Sequence, residues 1–191
     1  MARLAATGLA CMRGGRLLFS DLDLALDAGD AAIVAGPNGI GKSSLIRLLA
    51  GLLPAAAGTV TRSGAVALAD ETLALDREAP LSGALGFWAR FDDGDPAAAL
   101  GLMGIAHLAD VPVRLLSTGQ RKRAVLARTI AANAAIWLLD EPANGLDGDG
   151  RMALEQAIAG HRAGGGIVVA ATHLPLAIPG ATSIALGGAS A

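Results

Sequence analysis

The feature that most constrains the fold is a short glycine-rich segment between a predicted strand and a predicted helix. The segment has the P-loop pattern of Gly, any four residues, then Gly-Lys-Ser, and consists of Gly36, Pro37, Asn38, Gly39, Ile40, Gly41, Lys42 and Ser43. The apolar run 31–35 before it predicts a buried strand, and 44–50 after it predicts a helix. Because the P-loop requires this strand–loop–helix order, the sequence predicts a nucleotide-binding α/β fold.

Each residue type in the P-loop has a physical role toward a nucleotide. The glycines let backbone N–H groups converge on a phosphate, and the helix N-terminus adds positive potential. We expect Lys42 to reach the β- and γ-phosphates and Ser43 to bind Mg²⁺, and we count Ser44 among the ATP-binding residues. The chain has 13 arginines but only two lysines, and Lys42 stands where a compact ammonium is needed.

Composition and charge exclude several classes of function. The 191 residues suit one domain, or one core with a small subdomain, and the net charge of −2 gives no electrostatic basis for a nucleic-acid partner. The single Cys11 excludes a disulfide framework and a cysteine zinc site. The three histidines share no metal-ligand spacing. Residues 163–191 carry no Asp, Glu, Lys or Arg, but prolines and glycines divide them into pieces too short to span a membrane. With no signal peptide visible at the N-terminus, we expect a soluble cytosolic protein.

Apolar periodicity predicts strands that alternate with helices. Strands are expected at 3–10, 17–26, 31–35, 58–62, 65–69, 135–139, 166–171 and 182–186, the second with an approximate period of two. Helices are expected at 44–50, 83–91, 97–103, 119–132 and 150–160. This alternation is typical of a mostly parallel sheet with helices on both faces.

Two carboxylates, Asp140 and Glu141, end the apolar strand predicted at 135–139. In P-loop proteins the Mg²⁺ of a nucleotide binds at such a strand end, so Asp140 is expected to hold the metal. Glu141 would then polarise the attacking water as the general base. An ordinary acidic strand end is the alternative, which the nearby P-loop disfavours.

The run 116–120, Leu-Ser-Thr-Gly-Gln, precedes another predicted helix and is followed by Arg121, Lys122 and Arg123. Ser117 can cap this helix, and Gly119 allows close backbone approach, so the helix start can bind a second phosphate. The alternative is a capped helix with a basic first turn. Because basic residues oppose the dipole at this end, we expect groups outside the helix to require them.

These motifs, in this order, resemble those of the ATP-binding-cassette (ABC) ATPases. Residues 116–120 resemble the signature motif Leu-Ser-Gly-Gly-Gln with Thr118 in place of the first Gly, Asp140-Glu141 resembles the Walker B pair, and 143–147 resembles the D-loop. Thr172-His173 is similar to the switch histidine.

The resemblance implies a head-to-tail dimer of two copies. Each ATP would lie between the P-loop of one copy and the signature residues of the other, namely Ser117, Thr118, Gly119 and Gln120. His173 would contact the γ-phosphate as a catalytic residue beside Glu141, and Asp147 would communicate across the interface.

The resemblance also implies the architecture. We expect an α/β P-loop NTPase in which residues 1–71 and 134–191 form the ABC ATPase core, with a mostly parallel sheet and an N-terminal antiparallel β subdomain. A small helical subdomain at about 72–133 would carry the signature motif.

Two positions depart from the family pattern. Asp70-Glu71 occupies the place of the usual Q-loop glutamine, where Glu71 could still reach Mg²⁺. The place of the usual adenine-stacking aromatic falls near Arg13, whose guanidinium plane can stack on a base.

Within the family, the P-loop and the stretches 116–123, 137–147 and 172–176 resemble the ATPase subunit of cytochrome c maturation systems. This implies ATP and Mg²⁺ as cofactors, an integral membrane permease subunit as partner, and a peripheral place on the cytoplasmic face of the bacterial inner membrane. ATP hydrolysis would release a haem-loaded chaperone, and no direct haem binding is expected because the chain has no haem-attachment motif.

Three alternatives stay open from the sequence. The chain could serve another exporter with different cargo. It could resemble the DNA-repair cassette ATPases, although it lacks their coiled-coil insertions and basic surface. It could also be a non-hydrolysing interaction module, against which Glu141 and His173 argue.

Overall fold

Two β-sheets organise the chain, which a computed structural model describes for residues 1–72 and 74–186. The first sheet is antiparallel, with β1 (Arg3–Arg13) between β2 (Arg16–Asp27) and β4 (Ala57–Ser63). The second sheet has five strands: β3 (Ala31–Ala35), β5 (Val66–Ala69), β6 (Ile136–Asp140), β7 (Ile167–Thr172) and β8 (Thr182–Ala185). Their order in the sheet is β5-β6-β7-β3-β8, and every neighbouring pair is parallel. The predicted α/β class and the mostly parallel sheet are confirmed.

Within the described residues, five α-helices connect the strands at positions close to those predicted. They are α1 (Lys42–Ala50), α2 (Leu81–Asp92), α3 (Pro96–Leu102), α4 (Thr118–Ala131) and α5 (Gly148–Ala163). Asp95 caps α3 by accepting a hydrogen bond from the Ala98 N–H at 3.0 Å, and Gly51 ends α1 in the left-handed conformation. Two short 3-10 helices, Ala106–Leu108 and Val113–Leu115, were not predicted because three residues are too few to show a periodicity.

The central strands β6 and β7 of the parallel sheet are buried on both faces, which explains why they are apolar at consecutive positions. On one face Ile136 and Leu138 of β6 pack with α1 and the antiparallel sheet. On the other, Trp137 and Leu139 pack with α4 and α5. The sheet therefore places the loops at its carboxyl edge between two covering layers.

The period of two predicted for 17–26 breaks at Asp21. Phe19 and Leu22 are both buried although three positions separate them. Asp21 has φ +54°, and the register with β1 shifts between Leu9 and Cys11, as in a β-bulge. The bulge moves the buried set from odd to even positions, so Leu22, Leu24 and Leu26 face the core.

The strands predicted around the Ser63-Gly64 turn enter different sheets. β4 pairs with β1, whereas β5 pairs with β6. Gly64, with φ +115°, provides the change of direction that an L-side chain would resist.

α2, α3 and α4, which lie between β5 and β6 in the sequence, pack on one another. The division into a core (1–71 and 134–191) and a helical subdomain (about 72–133) stays a proposal, and Leu73 and 187–191 lie outside the described residues. None of the helices in the described ranges has the length and apolar character needed to cross a membrane.

Candidate active site

The P-loop joins β3 to α1 through three glycines with positive φ. Gly36, Gly39 and Gly41 have φ of +143°, +82° and +115°. A Cβ on Gly41 would lie 3.3 Å from both Leu18 and Phe19, and one on Gly36 would lie 3.3 Å from Ile40 Cγ2. All three positions favour the conformational freedom of glycine, and Gly36 and Gly41 also leave little room for a Cβ, which explains the loop sequence.

Lys42 begins α1 and has a buried side chain, 5% exposed. Its Nζ donates to the backbone carbonyls of Gly36 at 2.7 Å and Pro37 at 3.2 Å, and lies 3.3 Å from Oε1 of Glu141. A buried ammonium requires such partners, because desolvation disfavours its charge. The loop thus surrounds one fixed positive charge.

Glu141 follows β6 in the left-handed region, with φ +46°, which is uncommon for a residue with a side chain. Its Oε2 lies 2.9 Å from Nδ1 of His173 and accepts from the His173 backbone N–H at 3.2 Å. Burial raises the pKa of Glu141, but hydrogen bonds from His173 and Lys42 outweigh burial and hold that pKa below its ordinary value. The carboxylate is therefore ionised at neutral pH, as a general base must be.

Asp140, the last residue of β6, is buried, and its Oδ1 has no hydrogen-bond partner among the described residues. Burial raises the pKa of Asp140, a hydrogen bond with Ser43 lowers it, and the Glu141 charge raises it. A buried carboxylate oxygen without a partner next to a hydroxyl fits an oxygen-binding cation such as Mg²⁺.

A cavity of about 320 Å³ opens over the P-loop. Glu71, Glu141 and His173 line it together with six predicted ATP-binding residues: Asn38, Gly39, Gly41, Lys42, Ser43 and Ser44. Three segments that are distant from the P-loop in the sequence thus contribute to one site. Arg13 ends β1 as an exposed residue and is not among the lining residues, so its stacking on adenine stays a prediction.

The signature residues form a capping box at the start of α4, which confirms the predicted cap. Ser117 Oγ accepts from the Gln120 N–H at 3.2 Å, and Gln120 Oε1 accepts from the Ser117 N–H at 2.8 Å. Ser117, Gly119 and Gln120 line a cavity of about 420 Å³. Within the described part of the chain, this cavity and the P-loop cavity share no lining residue.

Two of the three basic residues after the signature motif, Arg121 and Arg123, contact groups outside the helix, as expected. Arg121 Nε donates to the Leu116 carbonyl at 3.0 Å. Arg123 donates to the Met103 carbonyl at 2.9 Å and forms an ion pair with Asp147. Asp147 in turn caps α5 by accepting from the Gly150 N–H at 2.9 Å. The hydrogen bond from Gly150 and the one from Arg123 lower the pKa of Asp147.

Two residues near the site were not predicted. Asn144 lines the P-loop cavity, and Lys122 lines an adjoining one with Glu141. The rarity of lysine was a usable signal for Lys122, since it is the second of only two. Asn144 carries no comparable signal, because its position depends on how the chain turns after β6.

Comparisons with known proteins place this geometry in a family. The ABC transporter family model matches residues 19–144. A Sphingopyxis alaskensis protein named cytochrome c biogenesis ATP-binding export protein CcmA is 57% identical over 187 residues, which cover 96% of each chain. A protein of the same name from Novosphingobium aromaticivorans is 56% identical over 184 residues, covering 96% of this chain and 95% of the relative.

The fold is shared with solved structures at much lower identity. An ABC transporter ATP-binding protein from Pyrococcus furiosus superposes with a TM-score of 0.85 at 21% identity, covering 96% of this chain and 97% of that one. The P-loop, the carboxylates after β6 and the capped signature helix agree with this assignment. The chain therefore belongs to the ABC transporter family, as an ATP-binding ATPase subunit similar to CcmA.

Proposed function

We propose that this chain hydrolyses ATP at Glu141 to drive a membrane complex that serves cytochrome c biogenesis. The observation that carries the catalytic part is the placement of the Glu141 carboxylate between Lys42 Nζ at 3.3 Å and His173 Nδ1 at 2.9 Å. This arrangement holds an ionised base at the mouth of a phosphate-binding loop.

In the proposed mechanism the P-loop binds the β- and γ-phosphates with its N–H groups and with Lys42. Glu141 accepts the proton of the water that attacks the γ-phosphate, and His173 holds the carboxylate in place. The phosphate that engages Lys42 weakens the ion pair of Lys42 with Glu141, which raises the affinity of the carboxylate for that proton.

Ser43 and Asp140 would hold Mg²⁺, and Glu71 lines the P-loop cavity together with Ser43. The orphaned Asp140 Oδ1 and the neighbouring Ser43 hydroxyl form an oxygen donor set of the kind that Mg²⁺ takes together with nucleotide phosphates. When bound, the ion would neutralise phosphate charge and orient the γ-phosphate.

A second copy of the chain would complete each site. The signature residues Ser117, Thr118, Gly119 and Gln120 start a 14-residue helix whose N-terminus can bind phosphate. Ser117, Gly119 and Gln120 line a cavity that, among the described residues, shares no lining residue with the P-loop cavity of the same chain. A head-to-tail dimer lets this helix start meet the ATP on the partner's P-loop, with Asp147 at the interface.

The membrane partner would be the integral permease subunit of a cytochrome c maturation system. Phe87 and Phe91, on one face of α2, are 52% and 72% exposed and pack edge to face. Two exposed phenylalanines in a chain with only three form an apolar surface suited to a partner. The ATPase would sit peripherally on the cytoplasmic face of the bacterial inner membrane, binding neither nucleic acid nor haem.

The relatives carry the biological assignment, since their names give cytochrome c biogenesis and export. In the proposed cycle, ATP hydrolysis releases a haem-loaded chaperone from the membrane assembly. Deletion of the gene in its host, followed by haem staining of c-type cytochromes, tests this role.

We expect holo-cytochromes to disappear on deletion, to return with the wild-type gene and to stay absent with Glu141→Gln. Normal staining in the deletion strain would refute the maturation role. Full restoration by Glu141→Gln would refute the proposed hydrolytic mechanism.

A further inference from the structure

Lys122 is the fifth residue of α4 and has a half-buried side chain. It lines a cavity of about 340 Å³ that also contains Asp70 and Thr118. Glu71, Glu141 and Asn144 line both this cavity and the P-loop cavity, so the two adjoin. The ammonium of Lys122 therefore sits next to the proposed hydrolytic site without belonging to the P-loop or the signature motif.

Four carboxylates converge beside Lys122. Asp70 and Glu71 follow β5, whereas Asp140 and Glu141 lie at the end of β6, and these parallel neighbours end at the same edge of the sheet. Burial lowers the pKa of Lys122, and the charges of Asp140, Glu71, Glu141 and Asp70 act in the opposite direction. The carboxylates repel one another, and they all attract this ammonium.

Of the neighbouring cations, Lys42 and Arg47 have carboxylate partners, whereas Arg121, which lines the same cavity, donates to the Leu116 carbonyl. Lys42 contacts Glu141 and two P-loop carbonyls, and Arg47 lies 3.8 Å from Asp70. In the ranges 1–72 and 74–186, Lys122 forms no ion pair within 4 Å. Its charge thus acts on the whole carboxylate group through space and is not committed to one of its members.

We propose that Lys122 is a positioning residue of the ATPase site, whose ammonium is an internal counter-charge to these carboxylates and competes with a bound divalent cation for them. This inference rests on the proposed function, because it assumes that ATP and a divalent cation bind beside Glu141. A divalent cation at Asp140 then meets a smaller negative potential, and the phosphates of metal-free ATP meet less repulsion.

The two effects have opposite signs, which gives the test its power. Replacing Lys122 with a neutral residue leaves the site one charge more negative. Metal-free ATP should then bind more weakly than it does to wild type, and Mn²⁺ should increase the affinity for ATP by a larger factor. A merely structural role would weaken binding with and without metal alike.

The experiment is equilibrium dialysis of labelled ATP against the full chain, once in EDTA and once with Mn²⁺. We expect Lys122→Gln to raise the ratio of the Mn²⁺ affinity to the EDTA affinity by at least about threefold. Lys122→Arg, which keeps the charge, should match wild type. Arg90→Gln removes the same charge from an exposed position on α2 and should also match it.

Asp70→Asn is a second variant for the case that Lys122→Gln does not fold. It keeps Lys122 and removes one carboxylate charge. It makes the site one charge less negative, so the ratio should fall by a similar factor of about three. A ratio unchanged in the folded variants, or a parallel loss of both affinities, would overturn the role of Lys122. Absence of ATP binding by wild type under both conditions would instead overturn the proposed function.

Discussion

Oε1 of Glu141 lies 3.3 Å from Nζ of Lys42, so the proposed base and the proposed phosphate-binding cation are direct partners. The pair is well shielded, with side chains 12% and 5% exposed. Because the Glu141 carboxylate also contacts His173, a phosphate on Lys42 leaves it one neighbour that still fixes its orientation. Binding and catalysis are therefore linked through one carboxylate.

Glu141→Gln should lower the steady-state ATPase rate by about 10²- to 10⁴-fold, because an amide cannot accept the proton of the attacking water. Binding of ATP should be retained, since Lys42 and the P-loop glycines are intact. Phosphate release and dialysis of labelled ATP measure the two quantities separately. An undiminished hydrolysis rate would assign the base to another group.

Arg123→Gln should destabilise the chain by about 1–3 kcal/mol, because a charged donor to the Met103 carbonyl is lost. Urea unfolding measures this change. Asp147→Asn is the matched control: it removes the ion pair with Arg123, while its side-chain oxygen can still cap α5. The loss with Asp147→Asn should be clearly smaller, and equal losses would show that the carbonyl contact contributes little.

Two glycine substitutions should have opposite effects on stability. A Cβ on Gly94 would overlap the Ala131 carbonyl oxygen, so Gly94→Ala should cost about 1–3 kcal/mol in free energy of unfolding. Gly83 lies within α2 with open space around its Cβ position, so Gly83→Ala should add about 0.5–1 kcal/mol. Chemical denaturation of both variants checks the packing of the segment before α3 against the end of α4.

His161 should make stability fall on mild acidification. Burial lowers its pKa, opposed by backbone hydrogen bonds at Ala135 and Ile167, and its ring stacks on Trp137 at 3.9 Å. With an ordinary pKa of about 6.5, the unfolded chain takes up a proton below that pH while the folded chain resists it. The contribution of His161 to the free energy of unfolding is thus complete above the pKa of the unfolded chain. It is lost as the pH falls toward the lower pKa of the folded chain.

Denaturant midpoints at pH 7.5 and 5.5 test this sign. We expect His161→Gln to lose less stability than wild type between the two pH values, because its amide does not titrate. An equal loss in both proteins would show that other groups account for the acid sensitivity.

Local patterns were sufficient to predict most elements and the P-loop. The run from Ile136 to Leu139 is apolar throughout because both faces of β6 are covered. Asp140 and Glu141 follow this run at the edge of the sheet where β3 leads into the P-loop. Ser117 and Gln120 could be paired as a cap because three positions separate them.

What the sequence did not reveal depends on contacts between distant segments. The assignment of β4 and β5 to different sheets depends on pairing with strands far away in the chain. The Arg123–Asp147 pair and the left-handed backbone of Glu141 arise from tertiary packing, for which a single sequence carries no periodic signal.

We propose that each ATP is hydrolysed between the P-loop of one copy and the signature residues of another. Lys42→Ala and Ser117→Arg should each abolish ATPase activity in a homogeneous dimer. A mixed dimer contains one Lys42→Ala copy and one Ser117→Arg copy. One of its two sites then combines the altered P-loop with the altered signature residues, and the other site combines the two unaltered ones. An equimolar mixture should therefore recover about a quarter of wild-type activity. If the mixture forms mixed dimers and stays inactive, the shared site is contradicted.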